Sequence, residues 1–263
     1  MQTDAFIGLI LICAIIIPAM IYLILRGITP LKQLALKWWW LLYVIAFIAQ
    51  PIFLLRKHWE GALVFTNPSS LTLQLIAQAD NAWWEELAKL LALSLIVWLA
   101  RDQIKSFFKI LSTSINLGLW AGLAYGAGEA VVLGILFAAP NLAPIFGMHT
   151  FSPFTLGWAF VLERIWAMQL HAIMGALIGA GVWCWYNGKR GGFIVWFIAA
   201  MVYHDFVDGQ IILAQFNSAI ASFLTQFGIA LLLIDVALGY LLIALVYRVH
   251  NRSRAARRIT PQT

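Results

Sequence analysis

The sequence predicts an all-α polytopic membrane protein: seven transmembrane helices, the N-terminus outside, the C-terminus cytoplasmic, and a polar cavity formed by helices three to six. Three observations predict it. The 263 residues are 63% hydrophobic and 11% charged, with a mean hydropathy of +0.88, whereas a soluble domain runs near half apolar and a quarter charged. Apolar runs of about 20 residues, the length that crosses the hydrocarbon core, recur along the whole chain. The charges are also sorted by location. Of 17 Lys and Arg, only Lys89 and Arg164 fall inside these runs; of 11 Asp and Glu, the runs hold Glu85, Glu86, Glu129, Glu163, Asp205, Asp208 and Asp235. A water-soluble globule, a disordered chain, a coiled coil and a disulfide scaffold are thereby excluded. The net charge of +6 belongs to loops and tail, so it is a topology signal and not a nucleic-acid surface. Cys13 and Cys184 both sit in apolar runs and give neither a disulfide framework nor a CxxC metal spacing.

The runs lie near 5–25, 38–55, 84–100, 115–138, 156–186, 193–213 and 219–247, and no repeat or linker divides the chain, so 1–263 reads as one integral membrane domain. The first run begins Met1-Gln2-Thr3-Asp4, without a basic flank, and is too long for a cleavable signal peptide. Pro18 inside it predicts a kink and not a break, because neighbouring helices can satisfy the carbonyl it frees. Trp38-Trp39-Trp40 opens the second run and reads as an interface anchor. The segment 56–83, with Trp59, Trp83 and Trp84, reads as a stretch lying in the interface. The fifth and seventh runs are long enough to tilt or to project beyond the bilayer.

Basic residues set the orientation. Arg26, Lys32 and Lys37, then Arg101, Lys105 and Lys109, then Lys189 and Arg190, and finally Arg248, Arg252, Arg254, Arg257 and Arg258 fall on one side, against Arg56 and Lys57 on the other. The positive-inside rule makes the first side cytoplasmic. The expected location is the plasma (inner) membrane, multi-pass, with the basic tail 248–263 setting topology in preference to gripping anionic lipid.

The buried acids need explaining, since an ionisable residue at mid-membrane costs about 2.5–3.5 kcal/mol even on insertion scales. In run three, Glu85-Glu86-Leu87-Ala88-Lys89 places two acids three and four residues before a lysine, within reach on one helical face. A single such pair reads as a local ion pair; a double glutamate at a span's outer end reads as functional. In run four, Gly118, Gly122 and Gly126 form a packing stripe that leads to Glu129. Glu129 has no basic residue within four positions, so its partner must come from another helix, a water or a metal. In run five, Glu163-Arg164 reads as structural, paired with other helices, and His171 lies seven residues on, nearly on the same face. In run six, His204 and Asp208 stand one turn apart on one face, a spacing that can orient an imidazole, bind a metal or serve an oxyanion. Asp235 in run seven reads as a helix–helix hydrogen bond. Following the chain back and forth, Glu85, Glu86, Glu129, His171, His204 and Asp208 all reach the outer half of the bilayer, which predicts one shared cavity.

Three of these patterns together, Glu85-Glu86-x-x-Lys89, Tyr125-x-x-x-Glu129 and His204-x-x-x-Asp208, resemble the EExxK, FxxxE and HxxxD set of the PrsW and YhfC families of intramembrane proteases. Those families are similar to the CAAX-prenyl endopeptidases and to the anterior-pharynx-defective subunit of γ-secretase. The order is kept, Tyr125 replaces the usual phenylalanine, and the match covers roughly 80–213, the catalytic core helices. The resemblance implies hydrolysis of a peptide bond in or near the membrane. It makes Glu85 the general base, Glu129 a second holder of the same water, and His204 with Asp208 the oxyanion group. Glu86 joins Lys89 in positioning, Lys89 and Tyr125 being the expected substrate-binding or positioning residues, and His171 supplies an imidazole where Glu129 replaces the histidine of the CAAX group. The implied partners are a membrane-protein or lipidated-peptide substrate and the lipid bilayer, with no nucleic acid.

The chemistry is coherent without a family. Two carboxylates facing one water share a proton and leave one ionised member as base. The same cluster could instead hold Zn²⁺ through Glu86, Glu129, His171 and His204, but no HExxH pattern is present, so no cofactor is expected. A non-catalytic membrane scaffold is the alternative function, and a proton-coupled transporter the third, although no inverted repeat or interrupted helix pair is visible.

Overall fold

The computed structural model describes residues 3–27, 31–146 and 155–259, and their side chains except at 3, 59, 62, 63, 65 and 251–259. Residues 147–154 of the loop near 139–155, and the side chains of Trp59 and of the tail arginines Arg252, Arg254, Arg257 and Arg258, thus lie outside what is described. The described residues are helical throughout, with no strand. Six helices are long and apolar enough to cross a membrane: Asp4–Gly27, Leu36–Leu54, Leu111–Ala138, Trp158–Tyr186, Arg190–Phe216 and Ser218–His250. Their outer surfaces are apolar; Leu23, Val195 and Val202 are 67%, 63% and 61% exposed, a pattern that suits lipid and not water.

The first crossing consists of α1 (Thr3–Leu9), a wide π-helical stretch (Ile10–Ile16) and α2 (Ile17–Gly27). Pro18 causes the widening: it has no N–H to give Ala14, and its ring crowds that carbonyl. The kink is repaired from the next helix, α3 (Leu36–Leu54), where the Tyr43 hydroxyl donates to the Ala14 carbonyl at 3.0 Å. The tryptophan run at the start of α3 is not a simple interface anchor. Trp39 is wholly buried, and with Tyr22, Trp40, Tyr43 and Trp120 it forms an aromatic cluster whose Trp39–Trp120 rings meet edge-to-face at 5.7 Å. Only Trp38 keeps a polar neighbour at the rim, donating from Nε1 to Gln103 at 2.6 Å.

The segment 56–83 is likewise not a single interfacial stretch. It contains α4 (Lys57–Thr66) and the first half of α5 (Leu71–Leu99). Ser70 caps α5, its Oγ accepting from Leu73 N at 3.4 Å, so the helix starts well before the apolar run begins. α5 is as long as the spanning helices but carries Asp80, Glu85, Glu86 and Lys89, and it is not among the six. A short amphipathic α6 (Arg101–Phe108) then buries Ile104 and Phe108.

At the centre, α7 (Leu111–Ala138) packs against α8 (Trp158–Tyr186) with backbones almost in contact. A Cβ on Gly118 would sit 2.9 Å from Gly179 Cα, and one on Gly175 would sit 2.8 Å from Gly122 Cα, so the two glycine pairs interlock. Ser114 Oγ donates to the Gly179 carbonyl at 2.6 Å alongside them. α9 (Arg190–Phe216) and α10 (Ser218–Ile259) cover the other flank of α8, where Ile173, Met174, Val207, Val236 and Ile243 form a second apolar cluster.

Candidate functional site

The middle of α5 and the middle of α9 carry one polar cluster. In α5, Lys89 Nζ donates to Glu86 Oε1 at 2.5 Å, the i, i+3 option of the two open to it, and both side chains are wholly buried. Lys89 also lies over the Tyr125 ring, 4.9 Å from its centre, which partly replaces the hydration it has lost. Lys89 and Tyr125 are therefore packed inside, holding the cluster together from below.

From α9, His204 joins this pair. Its Nδ1 is 2.8 Å from Glu86 Oε1 and its Nε2 is 3.1 Å from Asp208 Oδ2, so a carboxylate faces each nitrogen. The i, i+4 spacing of His204 and Asp208 thus produces the expected pair, while Asp205 stays outside it. Glu85 turns away from Glu86. Its Oε1 lies 4.0 Å from Lys57 Nζ, and its Oε2, 3.8 Å from His204 Nε2, is buried with no hydrogen-bond partner among the described residues, as is Glu86 Oε2.

The second group joins α7 to α8. Glu129 Oε2 meets His171 Nε2 at 2.6 Å, and Arg164 approaches Oε1 at 3.7 Å. The partner of Glu129 does come from another helix, and the seven-residue spacing of Arg164 and His171 puts both on it. Glu163 and Arg164, expected to pair with other helices, bond to each other, Arg164 Nε donating at 2.6 Å, while the same guanidinium reaches Glu129. The glycine stripe makes this approach close: a Cβ on Gly126 would stand 3.0 Å from His171 Cδ2. The two groups touch through their histidines, whose rings meet edge-to-face at 5.7 Å. The cluster reaches the surface at Asp208, whose side chain is 36% exposed, and at Glu129. Asp235 stands apart, where Gln210 donates to it at 3.4 Å, the helix–helix hydrogen bond its isolation suggested.

Three contributors escaped sequence reasoning. Gln78 Nε2 donates to Asp208 Oδ2 at 3.1 Å, and its only signal is that it stands two turns before Glu85 on the same helical face. Lys57, beside Glu85, comes from another helix and has no signal at all. Arg56 forms a clasp next to the cluster, outside the spanning helices: it bonds to Glu60, to Asp80 Oδ2 at 2.9 Å and to Asn81 Oδ1 at 3.1 Å. Burial, reinforced by the Asp80 carboxyl beside it, pushes Glu60 up to about 7 in spite of Arg56.

The donor set considered for Zn²⁺ does not converge. Glu86 and His204 belong to one group and Glu129 and His171 to the other, and among the described residues no three His, Cys, Asp or Glu side chains gather as ligands of one ion would. No step is routed through a metal. Comparison of the chain with family models, with curated proteins and with solved structures finds no match in any of the three.

Proposed function

We propose that the protein is an intramembrane endopeptidase of the PrsW/YhfC type, spanning the membrane seven times with its N-terminus outside, and that it hydrolyses a peptide bond by glutamate-activated water. The observation that carries the reading is the contrast between two neighbouring glutamates. Glu86 takes hydrogen bonds from Lys89 and His204 at Oε1, although its Oε2 is buried without a partner, whereas Glu85 takes no hydrogen bond among the described residues at either oxygen and its buried Oε2 faces His204 Nε2 at 3.8 Å. A buried carboxylate without a donor is costly and serves no packing purpose, but it is what a general base requires. The seventh span is α5, whose charged face turns onto α9, and the excess of Lys and Arg at one set of helix ends supports the orientation.

In this mechanism Glu85 takes a proton from water as the oxygen attacks the peptide carbonyl carbon. The developing oxyanion is met by the histidines. His204, its Nδ1 held by Glu86 and its Nε2 by Asp208, turns Nε2–H from Asp208 to the oxyanion as charge develops there, and His171, oriented by Glu129, has a buried Nδ1 without a partner among the described residues. When the C–N bond breaks, Glu85 returns the proton to the leaving amine. Lys89 and Tyr125 keep Glu86 and His171 in place.

The test is comparative membrane peptidomics on cells expressing equal amounts of the wild type or the Glu85→Gln, Glu129→Gln double variant. A membrane-protein fragment present only with the wild type is the expected result and names the substrate. Identical fragment profiles, with both variants rescuing a deletion phenotype, would overturn the protease reading in favour of a non-catalytic scaffold.

A further inference from the structure

His204 Nε2 stands between two carboxylates, Asp208 Oδ2 at 3.1 Å and Glu85 Oε2 at 3.8 Å, while its Nδ1 is occupied by Glu86. Burial alone favours the wrong one. The Glu85 side chain is 7% exposed and that of Asp208 is 36%, and an ion pair weakens where water reaches it. Left to themselves, the imidazole would close on Glu85, the buried acceptor with an empty lone pair, and Asp208 would turn to solvent. A carboxamide prevents this. Gln78 Nε2 donates at 3.1 Å to the same Asp208 oxygen that faces His204. A carboxylate oxygen has lone pairs for both donors, so the second bond holds the carboxylate in the rotamer that serves the ring. Gln78 comes from α5, the helix that also carries Glu85, so the arrangement is built into a single face of that helix.

We propose that Gln78 is a positioning residue: by holding Asp208 against His204 Nε2, it keeps the imidazole off Glu85 and leaves Glu85 Oε2 free as the base. The proposal deepens the peptidase reading and rests on it for the role of Glu85, but the arrangement of His204 can be tested without any cleavage. Lys57, 4.0 Å from Glu85 Oε1, is the other charged group facing that carboxylate, and it leaves Oε2 untouched.

The experiment uses the full chain in lipid bilayers with ¹⁵N-labelled histidine, comparing the wild type with Gln78→Met, which keeps the length and removes the donor. The His204 Nε2 resonance, assigned with a His204→Gln variant, is expected to move, while the His171 resonances stay. Cleavage of whatever fragment-yielding substrate the peptidomics names is expected to fall about 10- to 100-fold in kcat with little change in KM, the usual size of an orienting partner's effect. In an Asp208→Ala background the same substitution is expected to do nothing further, because Gln78 acts through Asp208. An unmoved His204 resonance overturns the proposal, as does a loss that recurs in full in the Asp208→Ala background. If the wild type cleaves nothing, the peptidase reading falls while the nitrogen resonance still decides the part played by Gln78. Should Gln78→Met fail to fold, Gln78→Glu serves. Its protonated form can donate and its ionised form repels Asp208, so the resonance should return toward the wild-type position on acidification, and a pH-independent wild-type resonance would count against the proposal.

Discussion

The Tyr43 hydroxyl takes over the place of an amide that does not exist: it donates at 3.0 Å to the Ala14 carbonyl, which Pro18 leaves without an N–H. Tyr43→Phe should therefore destabilise the protein by about 1 kcal/mol, the scale of one interhelical hydrogen bond in a membrane. Pro18→Ala should abolish that cost, since residue 18 then supplies the donor itself. Reversible unfolding in mixed micelles measures both. An equal effect of Tyr43→Phe with and without the proline would refute the account.

Glu85 and Glu86 are sequence neighbours with opposite expected phenotypes. Lys89→Met leaves Glu86 as a buried charge, with His204 as its remaining partner, and should cost about 3–5 kcal/mol. Glu85→Gln removes a charge that has no hydrogen-bond donor at Oε2 and should change stability by less than about 1 kcal/mol while eliminating cleavage. Unfolding midpoints for the two variants, measured beside their activity, check the ranking.

Glycines inside and outside the α7–α8 seam predict effects of opposite sign. At Gly122 a Cβ would sit 2.8 Å from the His171 carbonyl carbon, so Gly122→Ala must push α7 off α8 and should destabilise by about 1–3 kcal/mol or more, loosening Glu129 from His171 as well. At Gly209, one residue beyond Asp208, a Cβ meets nothing within 4 Å, and Gly209→Ala should be neutral or stabilising by up to about 1 kcal/mol. Similar losses at both sites in thermal melts would contradict the packing.

The Arg56 clasp should be pH-dependent through Glu60. Its ordinary value of 4.5 rises to about 7 in the folded protein, so the fold prefers the protonated acid. That contribution is complete below the unfolded value and is lost as pH rises through about 7. Backbone amides of α4 should then exchange faster at about pH 8 than at about pH 6, after correction for intrinsic rates. Glu60→Gln should flatten the difference, and a difference of the same size in that variant would assign the effect elsewhere.

The sequence revealed more about charge than about shape. The pairing of His204 with Asp208 and the need of Glu129 for a partner on another helix could be read from spacing, because each rests on the 3.6-residue period or on the cost of a lone buried charge. The start of α5 could not. Gln74, Gln78 and Asn81 lower the hydropathy of its first half, yet they turn inward, Gln74 to the Val64 carbonyl and Gln78 to Asp208, and the helix runs on uninterrupted from Ser70. The tryptophans at 38–40 misled for the complementary reason. Indole suits an interface in general, but Trp39 faces Trp120, a partner that lies in another helix and cannot be seen in the local pattern. Lys57 beside Glu85 was invisible on the same ground, since only the tertiary packing brings α4 to α5.

The interlocked glycines also decide where the molecule is stiff. The α7–α8 seam is backbone against backbone, and parting it would open a void along its length that nothing nearby can fill. The α5–α9 seam carries Gln78–Asp208 and His204–Glu86, contacts that water or an incoming amide group can replace one for one. The chain thus has one immovable jaw, bearing Glu129 and His171, and one that can yield, bearing His204 and Asp208. On the peptidase reading, an extended guest would enter from the yielding side, and its departure would let the same few hydrogen bonds shut the door behind it.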